Sequence, residues 1–362
     1  MTLYILLVLM FASLYLVSAK EETAWHNQSL EVRKRLLIGF AVLLILLQSL
    51  RSHTVGGDLF DKYEGYYSVF GTMKWSQIIH YNDHEIGYVV FNKLAFIISN
   101  GNLQFLLFCI SLCYHCSLFR LFYKYSKNIF LSIFLYIATS GFNTSMNELR
   151  SVLALSIVLY AIPFLFERKR FRFFLFVVVS SLFHRTSICF LYILVFTLIQ
   201  NITIIVWINI IAAVVLYFSF GIIRNIISSI LPRYAAYFLD INRTGGGEFL
   251  LILIILICFT VLFFTDKTDF LKEEIRVSTI ILVCSSSLQV FSLYINFFSR
   301  IVSEMFGISI PILLPYFLID NRLSGSDKVV LITFVILGFL LLYLHSLIVD
   351  GSLTVPYRFF FQ

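Results

Sequence analysis

The stretch KVVLITFVILGFLLLYLHSLIV, from Lys328 to Val349, decides the fold class of this chain. After Lys328 it contains no acidic residue and no further lysine or arginine. An α-helix needs about 20 apolar residues to cross about 30 Å of hydrocarbon, and this stretch supplies them. Similar apolar runs recur along the chain between short polar breaks. Because helices pair their own backbone groups in lipid, the sequence predicts an all-α, polytopic integral membrane helix bundle.

The composition supports the same conclusion. Hydrophobic residues make up 60% of the 362 residues and charged residues 13%, and the mean hydropathy is +0.92. Soluble domains are about 45–50% apolar and about 25% charged, so a soluble core of this length could not use so much apolar surface. We therefore predict a single transmembrane domain over residues 1–362, with no separate catalytic head and with a GT-C-like arrangement as one candidate architecture.

The apolar runs define about 12 spans. They are 2–19, 36–50, 103–123, 128–141, 146–166, 171–183, 186–200, 203–222, 249–265, 277–298, 300–319 and 328–349. Segment 86–99 is short and contains Lys93, and we predict that it forms a re-entrant or interfacial helix. The first run ends in Val17-Ser-Ala19, which mimics a signal-peptidase site. It lacks the basic leading residues of a signal peptide, so we expect a retained span.

Lysine and arginine divide the loops into two sets. The set rich in these residues is predicted to be cytoplasmic; it comprises Lys20 to Arg35, Arg120 to Lys127, Arg168 to Arg172, Lys267 to Arg276, and Arg322 to Lys328. The opposite set, predicted to face outward, includes the loops 51–85 and 223–248 and both termini. The net charge of +7 is then mainly a topology signal. No groove of basic and aromatic residues indicates a nucleic-acid partner.

Motifs of soluble enzymes are absent: there is no GxxxxGK[ST], HExxH, GxSxG or paired CxxC. Three cysteines within 109–116 share one helix face among leucines and isoleucines, and we predict that they pack as small apolar side chains. His80, Asp83 and His84 have a metal-like spacing, but no helix is assured there. We predict neither a metal site nor a cofactor.

Ionisable residues at outward helix ends are the candidates for chemistry, because such side chains are costly beside lipid. Asn143, Asn147 and Arg150 follow an i, i+4, i+7 spacing at the start of a long apolar helix. One helix face would then present two amides and a guanidinium, whose planar donors fit a diphosphate. The alternative is an arginine that only extends to the membrane interface.

Two residues compete for the role of proton acceptor. His184 interrupts two apolar runs, and an imidazole can accept a proton near neutral pH, so His184 could activate an attacking sugar hydroxyl. Asp58 lies in the first outward loop with Asp61 and Tyr63, and carboxylates and aromatic faces suit sugar rings. A structural histidine and a solvated acidic loop are the alternatives.

Later loops supply further candidates. Arg300 opens a span and has Glu304 one turn later, so an i,i+4 ion pair is the alternative to anion binding. Glycines 245–247 suit a mobile lid or an idle turn. The aromatic C-terminal tail is typical of an interfacial anchor. The candidate substrate contacts in the 223–248 loop and the tail are Arg233, Tyr234, Arg243 and Tyr357.

Short motifs in a fixed order resemble the EpsG-like family of polysaccharide polymerases, which is similar to Wzy O-antigen polymerases. They are Gly-Gly-Asp58 with Tyr63, Glu85-Ile-Gly-Tyr88 before Phe91-Asn92, Met146-Asn-Glu-Leu-Arg-Ser-Val-Leu-Ala154, Phe183-His184, Arg300-Ile301 before Pro311, and Pro356-Tyr357. The sequence departs from the family pattern at Ser151, where glutamine is usual, and at 185–187, where small residues are usual.

The resemblance implies transfer of a growing glycan from undecaprenyl diphosphate to a hydroxyl of another lipid-linked repeat unit, on the outer face of a bacterial cytoplasmic membrane. The diphosphate is the leaving group, so no nucleotide is needed. Outward cations would stabilise it; the candidates are Arg150, Arg233, Arg243 and Arg300. The expected partners are undecaprenyl-diphosphate-linked glycans, membrane lipids and a chain-length regulator. The product is O-antigen, capsule or exopolysaccharide.

Three other functions stay open. A flippase or transporter of lipid-linked oligosaccharide often has internal repeats and polar groups at the membrane midplane, and the sequence has neither feature. A glycan ligase, or a glycosyltransferase that uses a polyprenyl-phosphate sugar, would use the same residues as a polymerase. A structural membrane subunit is the third alternative.

Overall fold

The computed structural model describes residues 1–20, 30–81, 83–230, 255, 269–293, 296–319 and 325–362. Helices α1 to α15 span Thr2–Lys20, Leu30–Ser49, Glu64–Thr72, Trp75–His80, Ile86–Ser99, Leu103–Tyr125, Ile129–Ala138, Gly141–Asn147, Leu149–Phe166, Arg170–Ser181, Leu191–Phe196, Ile202–Ile230, Glu273–Ser292, Asn296–Ile319 and Gly325–Val349. A π-helical turn covers Leu59–Tyr63, and 3₁₀ turns cover Arg185–Phe190 and Asp269–Leu271. The predicted all-α fold is confirmed, since the β-structure of these residues amounts to one bridge between Arg51 and Phe359.

Six of the described helices are each long and apolar enough to cross a membrane, namely α6, α9, α12, α13, α14 and α15. Helices α7 and α8 meet the same criterion only as a pair bent by 55°. The predicted span 249–265 lies outside the described residues. The chain is therefore a membrane helix bundle, and its total of twelve spans stays a prediction.

The centre of the bundle is formed by α9, α13 and α14, which are mostly buried. Helix α9 packs against α6 and α10, and α13 packs along α14. Helices α12 and α15 lie at the periphery and expose large apolar side chains such as Phe218 and Phe334. Exposed apolar faces of this size are what contact with lipid requires.

Contacts between loops follow the predicted division into two sets. One group of contacts defines what we call the far end: Asn128 with Ser18, Lys124 with Glu167, and Arg168 with Glu273. At the opposite end, which we call the site end, the Tyr4 hydroxyl donates to the Thr354 carbonyl at 2.9 Å, so the start of α1 lies beside the C-terminal tail. Helix α9 connects the two ends over about 27 Å.

Helix α5 begins and ends at the site end. Glu85, just before it, accepts a hydrogen bond from the backbone of Arg185, and Gln104, just after it, donates to the Arg51 carbonyl. Its 14 residues extend for about 21 Å, less than the hydrocarbon thickness. Lys93 is buried because its ammonium group caps α3 by donating to the carbonyl of Gly71. This is the arrangement predicted for a re-entrant or interfacial helix.

Two segments predicted as outward loops are partly helical. The 51–85 loop contains α3 and α4, because Tyr63, Tyr67 and Phe70 follow a helical spacing and bury their rings. Helix α12 continues to Ile230, into the predicted 223–248 loop. Residues 231–248 lie outside the described part of the chain.

The cysteines of α6 do not all pack inside the protein. Cys113 and Cys116 are exposed and Cys109 is half-buried. The prediction of buried packing is therefore wrong for two of them, because the buried face of α6 is taken by larger side chains such as Leu106, Ile110 and Tyr114.

Candidate active site

The chain breaks twice between α7 and α9. Ser140 has a φ of +63°, and Glu148 has a φ of −96° and a ψ of 58°, so neither continues a helix. Asn143, Asn147 and Arg150 therefore do not share one continuous helix face, and that expectation is wrong. The breaks depend on tertiary contacts, since the Met146 carbonyl at the end of α8 accepts a hydrogen bond from Arg51 at 2.7 Å.

The Gly-Gly-Asp motif lies against the second break. Gly56 has a φ of +98°, and a Cβ there would lie 2.7 Å from the Met146 carbonyl oxygen, so only glycine fits. This close approach lets the backbone N–H of Asp58 donate to the side-chain oxygen of Asn147 at 2.8 Å. Asn147 thus positions the first loop, and its predicted contact with substrate stays a prediction.

One half of the site is organised by Arg300. Its Nε lies 3.0 Å from the Glu148 carboxylate, and its Nη2 lies 3.8 Å from Asp58. Lys62 donates to the other Asp58 oxygen at 2.9 Å. The i,i+4 pair with Glu304 is not the arrangement found, because Arg300 turns toward α8 and the first loop. Arg300 remains 46% exposed, which makes it more accessible than Arg150 at 27%.

The other half is organised by Glu85. Its Oε2 lies 3.3 Å from Nη1 of Arg150, and its Oε1 accepts the backbone N–H of Arg185 at 3.1 Å. The same Oε1 lies 3.6 Å from Nδ1 of His184, longer than a hydrogen bond. Gly87 allows the start of α5 to lie close to the end of α10. Its N–H donates to the Leu182 carbonyl at 2.8 Å, and a Cβ at this position would lie only 2.7 Å from the same oxygen.

Glu85 is ionised in this environment. Burial raises its pKa, but the interaction with His184, the backbone N–H of Arg185 and the charge of Arg150 together outweigh burial and lower the pKa to about 2. The carboxylate therefore pairs with Arg150 throughout the physiological range. It also faces Nδ1 of His184, which favours a proton on that nitrogen and leaves Nε2 as the basic atom.

Tyr63 connects the two halves. Its side chain is 4% exposed and interacts electrostatically with Arg150, Asp58 and Arg300. Burial raises the pKa of Tyr63, so the phenol keeps its proton and can donate a hydrogen bond. The structure therefore brings together five predicted residues, Asp58, Tyr63, Arg150, His184 and Arg300, with Asn147 beside them.

Other predicted residues lie elsewhere. Asn143 is held in a structural network, since its side chain donates to Thr354 at 2.8 Å and accepts from Tyr343 at 2.9 Å. The Tyr357 hydroxyl donates to the Leu47 carbonyl at 2.7 Å, which anchors the tail to α2. Asp61 is exposed on the π-helical turn. Arg233, Tyr234 and Arg243 lie outside the described residues.

Three ionisable residues of the site are not among the candidates that the sequence predicts. They are the carboxylates Glu85 and Glu148 and the cation Lys62. Glu85 and Glu148 stand inside motifs that carry the family resemblance, and a buried arginine next to lipid needs a carboxylate partner. The need of a buried arginine for a carboxylate partner is therefore the signal by which the sequence could have identified Glu85 and Glu148. Within the described ranges, no group of three or more His, Cys, Asp or Glu side chains is arranged to hold a metal ion.

The site can bind an anion and accept a proton. Its cations are already paired with carboxylates, so an incoming anion must displace Asp58 or Glu148 from Arg300. Arg150 keeps an unpartnered buried Nε, which is a further donor for such an anion. His184 lies at the corner between α10 and the 3₁₀ turn, only 18% exposed.

These features define a multi-pass membrane helix bundle with a charged site built at one end. The EpsG family matches residues 34–359, which is most of the chain. The chain therefore belongs to the EpsG family, as its motifs indicated, and the family supports a role in polysaccharide biosynthesis resembling that of a polymerase. No curated protein and no solved structure matches the chain.

Proposed function

We propose that this protein is a glycosyltransferase that joins undecaprenyl-diphosphate-linked oligosaccharide repeat units into a polysaccharide. The reaction takes place on the outer face of the bacterial cytoplasmic membrane, at the site end of the bundle. The observation that carries this proposal is the cluster of ionisable side chains at this end: Glu85 pairs with Arg150 and faces His184, and Arg300 contacts both Glu148 and Asp58.

The chemistry needs three parts. The bond between the donor sugar and the diphosphate breaks, and the diphosphate leaves with the bonding electron pair and one more negative charge. Arg300 and Arg150 stabilise that charge, since guanidinium donors bind phosphate oxygens in pairs. The acceptor hydroxyl forms the new bond and gives up its proton to a base.

His184 is the proposed base. Glu85 Oε1 lies 3.6 Å from its Nδ1, so a small approach would form the hydrogen bond by which a carboxylate orients the histidine of a catalytic triad and leaves Nε2 to accept the proton. Asp58 is the competing candidate. It is less suited to the role because both of its carboxylate oxygens face cations, Lys62 at 2.9 Å and Arg300 at 3.8 Å, and are therefore less available to an acceptor hydroxyl.

The polyprenyl chain of the donor reaches the site from the membrane. Exposed apolar side chains on α5, such as Ile97 and Ile98, and on α10, such as Val178 and Val179, give the site an apolar surround. A saturated or isoprenoid chain is compatible with such a surface, whereas a nucleotide donor would gain nothing from it.

A deletion strain tests the function directly. Its lipid-linked glycans, extracted and separated by size, should contain single repeat units on the outer leaflet and no long chains. Uncapped carrier with normal long chains would indicate a ligase instead. Repeat units trapped on the inner leaflet would indicate a flippase, and either result would overturn the proposal.

The orientation has its own test. In a variant without native cysteines, a cysteine at Gln362 at the site end should react with an impermeant reagent in intact spheroplasts. A cysteine at Lys169 at the far end should react only after the membrane is permeabilised. Both positions are exposed, so access from the bulk phase decides the result. The reverse pattern would place the site in the cytoplasm.

A further inference from the structure

A small cavity, lined mostly by apolar surface but with several polar side chains, lies between helices of the bundle next to Glu148, which Arg300 contacts. Helices α6, α8, α9 and α14 and the end of α7 surround it, and its volume is about 30 Å³. A water molecule needs about 10–15 Å³, so the cavity has room for one or two small ligands. The polar side chains that line it are Tyr114, Tyr136, Thr139, Thr144, Ser145, Glu148, Ser303 and Glu304.

Two buried oxygen atoms facing this cavity have no hydrogen-bond partner. They are Oε2 of Glu148 and the hydroxyl of Tyr136, which interacts with Tyr114 and Ser145 without meeting the geometry of a hydrogen bond. The Glu148 side chain is 9% exposed, and its other oxygen is held by Arg300. Tyr136 is 1% exposed. Unpartnered polar atoms in the interior of a protein are rare, and together these two point to a ligand that donates to, or coordinates, oxygen.

Charge identifies the kind of ligand. Glu304 accepts a hydrogen bond from Ser151 and interacts electrostatically with Glu148, so two carboxylates share the cavity. The cation that faces them is Arg300, which Asp58 shares from the other side. Two ionised carboxylates would therefore leave the cavity with an excess negative charge, which is costly inside a membrane protein.

The other titratable groups around the pair do not supply the missing charge. Tyr114 and Tyr136 face it from α6 and α7, and Cys189 faces Glu304 from the 3₁₀ turn. His115 lies beyond Tyr136, with ring centroids 6.3 Å apart, and its Nδ1 is bonded within its own helix. Lys62 is directed to Asp58, on the outer side of Arg300.

We propose that this cavity binds one monovalent positive charge between Glu148 and Glu304, supplied either by a proton or by Na⁺. Together with Arg300, this charge neutralises the carboxylate pair, so Glu148 does not depend on Arg300 alone. When Arg300 turns outward to an anion, the bound charge leaves the pair with one net negative charge instead of two. The site is defined without reference to sugars and goes beyond the proposed polymerase reaction.

The apparent melting temperature of the wild-type protein in nanodiscs tests this directly. At pH 8, replacing choline chloride by NaCl at constant ionic strength should raise the melting temperature if Na⁺ is the ligand, because a ligand that binds only the folded state stabilises it. In choline chloride alone, lowering the pH from 8 to 6 should raise it if a proton is the ligand.

Two variants test whether the change in melting temperature arises at this cavity or elsewhere in the protein. Glu304→Gln removes one negative charge and should abolish the response that the wild type shows. Glu64→Gln makes the same chemical change at an exposed acid of the first loop and should leave the response unchanged. A wild type that responds to neither titration would overturn the proposal, as would a Glu304→Gln variant that responds like the wild type.

A measurement on the wild type alone covers the case in which Glu304→Gln does not fold. Infrared difference spectra between pH 8 and pH 6 should show a protonated-carboxyl band for the proton, and equilibrium dialysis with radioactive Na⁺ should show one bound ion for Na⁺. The absence of both would also refute the site. These readouts require no glycan substrate, so they are independent of whether the protein is a polymerase.

Discussion

The two ends of the bundle use the same types of residue in different ways. At the far end, Arg276 is 2% exposed, and it donates to the Ile199 carbonyl at 3.0 Å and to Glu273 at 2.7 Å. Arg170 donates to the Thr197 carbonyl at 2.8 Å. Both side chains hold helix ends together through neighbouring acceptors.

At the site end, comparable buried polar groups lack hydrogen-bond partners. Nε of Arg150, Nδ1 of His184 and Oε2 of Glu148 are buried and without a hydrogen-bond partner. A buried polar group without a partner costs about 1–3 kcal/mol. At the far end the buried arginines have all their acceptors nearby, whereas these three groups at the site end keep unused hydrogen-bonding capacity, and this difference supports the proposal that the site end binds a ligand.

The largest effect is expected at His184. A general base contributes about 10²–10⁴-fold to a rate, so His184→Gln should reduce polymerisation by that factor in a reconstituted assay with lipid-linked repeats. Insertion and substrate binding should be retained.

Asp58→Asn is the matched comparison for this prediction. An inactive Asp58→Asn protein beside a His184→Gln protein of nearly normal rate would transfer the role of base to Asp58. The interpretation of His184 as a structural residue would then be correct.

The residues of the proposed reaction were largely accessible from the sequence, whereas their arrangement was not. Apolar runs and the distribution of lysine and arginine are local features, and they located the helices and the two sets of loops. The cost of an ionisable group beside lipid singled out Arg150, His184 and Arg300. The pairing of Glu85 with His184 joins residues far apart in sequence, and no local pattern encodes it.

The helix breaks were missed for the same physical reason. Residues 141–150 have a regular helical spacing, yet the chain leaves the helix at Glu148. Arg51 binds the Met146 carbonyl, and Tyr343 binds Asn143 from the last helix. These partners, which come from distant segments, override the local preference for a continuous helix.

The next effect concerns the two arginines of the site. Lysine keeps the charge but loses the planar pair of donors, so Arg300→Lys and Arg150→Lys should both reduce the rate. We expect the larger loss, about 10²–10³-fold, at Arg300, the more exposed of the two cations, because loss of one stabilising donor typically has this effect. Product chain lengths at equal expression give the measurement.

Equal and normal chain lengths in both variants would contradict a role in diphosphate binding. Arg150 would then be an arginine that extends to the interface and pairs with Glu85.

A smaller effect is expected from Glu85→Gln, and its pH dependence has a definite sign. The folded pKa of about 2 lies below the ordinary value of 4.5, so ionised Glu85 contributes stability above the unfolded pKa, which is lost as the pH falls toward 2. Between pH 8 and pH 5 the contribution is constant. The difference in melting temperature between wild type and variant should therefore not change over that range.

The activity of Glu85→Gln should fall at every pH in the same range, because the amide no longer fixes the proton on Nδ1 of His184. Glu64→Gln, at an exposed acid nearby, is the control for loss of charge. If the gap in melting temperature closed between pH 8 and pH 5, Glu85 would not be ionised as described.

The smallest effect on activity is expected at the far end, where the comparison predicts a change in stability alone. Arg276→Met keeps the length and the apolar part of the side chain but removes the donors to Ile199 and Glu273. Each hydrogen bond from a charged group contributes about 1.5–3 kcal/mol, so the apparent melting temperature should fall clearly. The rate per folded molecule should stay at the wild-type value.

Arg168→Met provides the matched control, because Arg168 binds the same Glu273 from an exposed position. Exposed ion pairs contribute about 0–1 kcal/mol, so this variant should melt close to the wild type. Arg276 and Arg168 carry the same charge and share the acceptor Glu273 but differ in burial. The difference in melting temperature between the two variants therefore reports the effect of burial. A loss of polymerisation per folded molecule in Arg276→Met would mean that the far end also takes part in the reaction, and the functional difference between the two ends would then disappear.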